Sequence, residues 1–479
     1  MTQRPLPRYL GSFGTFLFVV ALIPRLVAAL MWAGEPVWDG HYYDFGARRI
    51  AQGHGYSDDI TRGGLIVWHP WCHYPVGYSA FLSLFYKVLG SGHSVGAVAN
   101  SLVGASLAVM TWAVARHALS ETRARVAGGI VALHPGLVLY SALIMSEPLA
   151  ALLTLLAFWL AVTDRVPRGR MIFSSLALGV AVLVRPQSFL CAPIIGWIST
   201  KGIRARIASA VAASALVLVP VLPWTARNCM VMDGCALVST NAGWNLAIGA
   251  FPRATGRFET LRASDGCRDV TGQVQQDRCW LTYGLSEIRA RPLHWLALIP
   301  AKLGYTFDHE SFAVGYLHEA RPDIWTERVV TRVRDATTLA HRLLVTAGAF
   351  GFVAIAPTRR FRGSLVQGAL LVVAGGVAAI AFCSDTPSFW PLAVFAAAVP
   401  ILPLPGRPEL RPAMVLAVLY LGTVIVAHAI FFGEDRYHIV VTPVLAMLAC
   451  AVARPPERSA RRAPEAPEEP NPGAESVIP

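Results

Sequence analysis

The sequence predicts an all-α polytopic membrane protein of about twelve transmembrane helices, and three observations carry that expectation. Hydrophobic residues make up 54% of the 479-residue chain and charged residues only 15%, so the bilayer is its main solvent. Apolar runs of near-span length recur along the chain. The connections between them alternate between basic clusters and stretches poor in clustered Lys and Arg.

By the positive-inside rule the basic clusters mark the cytoplasmic side. They are Arg4 and Arg8; Arg116, Arg123 and Arg125; Arg165, Arg168 and Arg170; Lys201, Arg204 and Arg206; Arg359, Arg360 and Arg362; Arg407 and Arg411; and Arg454 to Arg462. Spans are then expected near 10–32, 94–115, 125–143, 148–163, 171–185, 187–200, 207–223, 336–356, 364–382, 389–404, 412–431 and 437–453. The first run is too long for a signal-peptide core and lacks an A-x-A site, so it reads as an uncleaved span. The net charge of +12 sits mostly in these short connections and reports topology, which leaves no nucleic-acid role. Both termini fall inside, in what is expected to be a bacterial inner membrane.

A transmembrane domain, 1–453, thus carries two large extracytoplasmic segments, 33–93 and 223–335, before a disordered cytoplasmic tail, 454–479, rich in Pro, Glu and Ala. The 171–200 stretch reads as a short hairpin turning at Arg185-Pro186-Gln187, because one span would leave a basic cluster outside. Residues 294–305 read as an amphipathic helix on the outer interface. Cys229, Cys235, Cys267 and Cys279 share the second outer segment. Pairs 229 with 235 and 267 with 279 are the shortest closures, and four cysteines allow three connectivities.

Candidate chemistry gathers in the outer segments. Asp39 follows the first span, and a short helix over 40–51 would put it at the N-cap with Tyr43, Ala47 and Ile50 on the apolar face behind. The helix dipole would keep such a carboxylate ionised. Asp44 reads as a surface residue. Arg185, Arg227, Lys302 and Arg436 are outer-face cations next to apolar segments, suited to an anionic lipid headgroup. Asn228 and Asn241 lie where a sugar could be hydrogen-bonded, or serve as turn residues. His69 and His73 have i, i+4 spacing, but Pro70 and Pro75 argue against a helical metal site.

The run Asp39, Tyr43, Ala47, Gly53, Gly55 and Tyr56 resembles the first outer loop of GT-C membrane glycosyltransferases of the family 39 type, which includes protein O-mannosyltransferases and the lipid A aminoarabinose transferase. Further matching motifs follow in order: Tyr74-Pro75-x-Gly77-Tyr78, His134-Pro135, Ser146-Glu147-Pro148, Val184-Arg185-Pro186, Pro223-Trp224-x2-Arg227-Asn228, Ser239-Thr240-Asn241-x-Gly243-x-Asn245, and Arg436-Tyr437. The resemblance implies a GT-C-like fold and an inverting transfer from a polyprenyl-phosphate sugar to a lipid, glycan or protein hydroxyl. Asp39 is then the general base, and Glu147 a second acid facing the cavity. Arg185, Arg227, Lys302 and Arg436 fall to the donor phosphate. Tyr43, Tyr74, Asn228, Asn241 and Tyr437 fall to substrate contact. The resemblance leaves the cofactor open: a divalent metal is compatible with it and not required. A transporter or flippase for a lipid-linked substrate is the alternative, and it would need paired charges at mid-membrane depth, where Arg25 is the main one.

Overall fold

The computed structural model describes residues 9–62, 65–164, 169–262, 265–353, 361–402 and 409–451. Several of the basic residues used for topology, including Arg4, Arg8, Arg165, Arg168, Arg359, Arg360 and Arg407, lie outside these residues, as does the tail from 452. The chain opens with α1 (Tyr9–Trp32), α2 (Asp39–Ala51), an antiparallel hairpin of β1 (Ser57–Arg62) and β2 (Leu65–Pro70), and α3 (Val76–Leu89). Next come α4 (His93–Ala115), α5 (Glu121–Leu133), α6 (Pro135–Leu139), α7 (Glu147–Val162), α8 (Arg170–Val184), α9 (Ala192–Ser199) and α10 (Ile203–Leu218). The 223–335 stretch holds α11 (Leu222–Val231), α12 (Ala242–Ile248), α13 (Gln273–Ala290), α14 (Pro292–Ala297), α15 (Ile299–Phe307) and α16 (Phe312–Ala320). The last part is α17 (Glu327–Val353), α18 (Phe361–Cys383), α19 (Trp390–Ala398), α20 (Pro412–Ile430) and α21 (Thr442–Ala449).

Among the described residues four helices have the length and hydropathy to cross a bilayer: Ser12–Trp32, His93–Ala115, Leu365–Cys383 and Pro412–Ile430. Counting each of two bent pairs as one span makes six. The expected count of twelve is therefore not reached by length and hydropathy among the described residues. The stretches expected at 148–163, 171–185 and 187–200 fold as α7, α8 and α9, of 16, 15 and 8 residues. Each falls short of the about 20 residues that a helix rising 1.5 Å per residue needs.

The expected 125–143 span breaks at His134. Pro135 drives the residue before it out of the helical region, and His134 sits at φ −60°, ψ 121°. Its side chain instead accepts from the Leu137 N–H at the start of α6. The chain then turns by 117° into α7. The expected interfacial helix over 294–305 is likewise two pieces, α14 and α15, divided at Leu298 before Pro300.

Arg25, the deep charge of α1, is fully buried. Its guanidinium donates to the carbonyls of Ala21, Val131 and Ala132, at 2.8, 2.8 and 2.5 Å. Two of these are the orphan carbonyls at the end of α5, so the charge closes a helix end. Among the described residues it has no carboxylate partner of the kind a transport relay would need.

One large apolar core joins α1, α4, α5, α7, α8, α20 and α21. The helices also turn large apolar side chains outward, among them Leu30 on α1 and Val372 and Ile380 on α18, faces that suit a hydrocarbon solvent. Cys229 pairs with Cys235 and Cys267 with Cys279, which are the two shortest closures. A smaller cluster of Ile248, Phe251, Trp280, Phe432 and Tyr437 ties α12 and α13 to the segment between α20 and α21.

Candidate active site

Five separated pieces of chain meet around Asp39. Trp38, at φ 51°, takes the left-handed backbone that bulky residues rarely adopt, and its ring packs on Phe312 and Tyr316. The helix α2 then begins at Asp39 itself. Asp39 is thus the first helical residue, where an N-cap was expected, and its carboxylate is free to turn away from the backbone. Gly40 permits the approach: a Cβ there would lie 2.2 Å from the Tyr316 hydroxyl and 3.0 Å from the Ile144 carbonyl. Gly40→Ala should consequently destabilise the protein by about 1–3 kcal/mol through overpacking. A thermal melt in detergent checks this, and an unchanged midpoint would contradict the crowding.

The Asp39 carboxylate accepts a 2.7 Å hydrogen bond from the Tyr74 hydroxyl and pairs its other oxygen with Arg436. Burial alone would raise its pKa. The Arg436 charge, the hydrogen bonds from Tyr74 and Arg436, and the Arg185 charge together hold it below the ordinary aspartate value. Arg436 also lies 2.5 Å from a Glu434 oxygen, and its guanidinium covers the rings of Phe312 and Tyr437 at 5.0 and 5.1 Å. Glu434 is pushed up to about 7 by burial, with Arg436 opposing.

On the other wall Glu147 starts α7 and pairs with Arg185 at 2.7 Å. Glu147 is fully buried, so it is no solvated loop acid. The Arg185 guanidinium lies 5.5 Å from the same Tyr437 ring that Arg436 covers. Two cations therefore converge on one aromatic ring, each tied to its own carboxylate. Tyr43, buried on α2, links the halves through its contact with the Ser146 hydroxyl at 3.4 Å. Tyr74 stacks on Tyr42 and meets Tyr43 edge-on, both at 5.3 Å.

The structure thus brings together Asp39, Tyr43, Tyr74, Glu147, Arg185, Arg436 and Tyr437. The four other candidates sit elsewhere. Arg227 donates to the carbonyls of Tyr56 and Trp71, at 2.7 and 3.0 Å, and so clamps the β-hairpin ends. Asn228 donates to Ala236 at 3.0 Å across the Cys229–Cys235 loop. Asn241 precedes α12 and accepts from Ser239. Lys302 reaches the Ile430 carbonyl at 3.1 Å and closes the end of α20; burial lowers its pKa to about 8.

Asp44, expected at the surface, is buried against Tyr86 and Arg48, at 2.5 and 2.6 Å, because it lies on the face of α2 turned toward α3. His69 ends in β2 and His73 packs on Trp244 at 4.7 Å, so strand geometry dissolves their helical spacing. Ser146 stood in the motif Ser146-Glu147-Pro148 without a role of its own, and Glu434 was missed by sequence reasoning. Its signal was position, two residues before Arg436.

The family model of dolichyl-phosphate-mannose-protein mannosyltransferase matches residues 73–224. No curated protein matches. Among solved structures, the oligosaccharyltransferase AglB from Archaeoglobus fulgidus, in complex with an inhibitory peptide and a dolichol-phosphate, is 12% identical with a TM-score of 0.41, over 92% of this chain and 50% of that one. ArnT from Cupriavidus metallidurans, bound to undecaprenyl phosphate, is 15% identical with a TM-score of 0.36, over 91% of this chain and 77% of that one. The chain spans about half the length of the archaeal enzyme. The family match over residues 73–224 covers about a third of the chain, and over that part, as in the motifs that run from Asp39 to Tyr437, this chain is similar to the dolichyl-phosphate-mannose-protein mannosyltransferases.

Proposed function

We propose that the protein moves a sugar, with inversion, from a polyprenyl-phosphate donor to an acceptor hydroxyl at the extracytoplasmic face of a bacterial inner membrane. The observation that carries this reading is the pairing of Asp39 with Arg436, with Arg185 against the same Tyr437 ring. A carboxylate kept ionised can take the acceptor proton, and guanidinium groups suit a phosphate leaving group. The two roles are coupled. A donor phosphate that engages Arg436 shares the charge now held by Asp39, and so raises the basicity of that carboxylate when substrate arrives.

The outer location of residues 33–93 and 223–335 and cytoplasmic termini are part of the same reading. Two disulfides within 223–335 support an oxidising compartment there. The test is incubation of the purified protein in lipid nanodiscs with a panel of polyprenyl-phosphate sugars and acceptor lipids, glycans and peptides. Release of polyprenyl phosphate with product of inverted anomeric configuration is expected. Turnover of nucleotide sugars alone, or retention of configuration, would overturn it.

A further inference from the structure

Away from Asp39, a second group of buried side chains has no part in the transfer chemistry. Glu310, between α15 and α16, meets His341 of α17 and His438, just before α21, and one ligand atom of each lies within 4.8 Å of the others. All three are buried. The Glu310 Oε2 lies 2.9 Å from His438 Nε2 and 3.8 Å from His341 Nδ1.

Backbone carbonyls set both tautomers. His341 Nε2 lies 2.9 Å from the Phe307 carbonyl and His438 Nδ1 lies 2.7 Å from the Thr306 carbonyl. A carbonyl only accepts, so each of those nitrogens carries the proton. The lone pairs left over, on His341 Nδ1 and His438 Nε2, therefore face a carboxylate oxygen. Three acceptors converging in a buried space repel one another unless a cation lies among them. Phe307 and Thr306 are then the outer hydrogen-bond partners that metal-bound imidazoles usually have.

We infer that Glu310, His341 and His438 form a binding site for a zinc-like divalent ion. A tetrahedral ion with bonds of about 2.0–2.2 Å separates its ligands by roughly 3.3–3.6 Å, within the spread seen here. Two imidazoles and one carboxylate suit zinc among the common divalent metals. Gly136 keeps the space open, since a Cβ there would fall 1.4 Å from Glu310 Oε1. The ion would be structural. It would staple α17 and the turn before α16 to the segment that begins with Arg436 and Tyr437, and it stands independently of the transfer reaction.

The test uses the full chain, purified in detergent without a polyhistidine tag, stripped with chelator, reloaded with zinc and dialysed before elemental analysis. About one zinc per chain is expected, with the retained metal falling about tenfold or more in His341→Gln and His438→Gln. Gly136→Ala, which displaces the carboxylate while keeping every ligand, should weaken retention as well. Because those variants could misfold, X-ray absorption on the zinc-loaded wild type provides a second measurement: a nitrogen and oxygen shell with imidazole scattering is expected. Negligible zinc on the wild type, a sulfur-containing shell, or unchanged zinc in the two histidine variants would overturn the site. The first of these outcomes would leave a hydrogen bond between His438 and Glu310 as the account of the cluster.

Discussion

Asp39→Asn should lower the rate of sugar transfer by about 10²–10⁴, the range that a positioned general base contributes, while the protein folds and inserts as before. The side chain is isosteric and about a quarter exposed, and the amide oxygen can still accept from Tyr74. Donor KM should move much less than kcat, because the phosphate is assigned to the guanidinium groups and not to the carboxylate. Radiolabelled transfer measured beside a melt of the same preparation checks this. Full activity in Asp39→Asn would remove Asp39 from the chemistry.

The pH profile separates Asp39 from its neighbour. The Asp39 pKa is depressed in the folded chain, so the ionised form persists above the ordinary value of about 3.9 and is lost only as pH falls through a lower folded value. No loss of activity between pH 5 and 7 should therefore come from Asp39. Glu434 behaves oppositely. Its folded pKa is raised to about 7, so its contribution to stability is present below about 4.3 and is lost as pH rises through the folded value. A titration of transfer near neutrality that vanishes in Glu434→Gln belongs to that residue.

Arg185→Ala should be the most destabilising change in the site, costing about 3–5 kcal/mol, because it strands a fully buried carboxylate without its counter-ion. One oxygen of Glu147 already has no hydrogen-bond partner, so nothing nearby is poised to replace the guanidinium. Removing the charge on both sides, in Glu147→Gln with Arg185→Met, should restore most of the stability and leave transfer impaired. That split separates the structural cost of a lone buried charge from the loss of a donor contact. A melt of Arg185→Ala in detergent that matches wild type would show that the pair is not the determinant of packing proposed here.

Much of the site could be read from residue order. Asp39, Tyr74, Glu147, Arg185 and Arg436 each lie in a short motif at the end of an apolar run, and the structure draws those run ends together. The near-span helices of α1, α4, α18 and α20 were legible for a related reason. Twenty apolar residues in a row have few alternatives to a helix in lipid. The lengths of the other helices were not legible to the same degree, since a proline such as Pro135 or Pro300 divides an apolar run without making it less apolar.

Only the tertiary structure decided which cation faces Asp39. Arg227, Lys302 and Arg436 read alike in sequence, as outer basic residues beside apolar segments. Two of them are consumed by backbone carbonyls, and one meets the carboxylate. The same holds for Glu310, His341 and His438, which are separated by 30 or more positions along the chain and share no motif. Composition and motif order determined the membrane class and the residues that could do the chemistry. The pairing of those residues came from long-range packing, because a charge finds its partner through the helices that carry it and not through its neighbours in sequence.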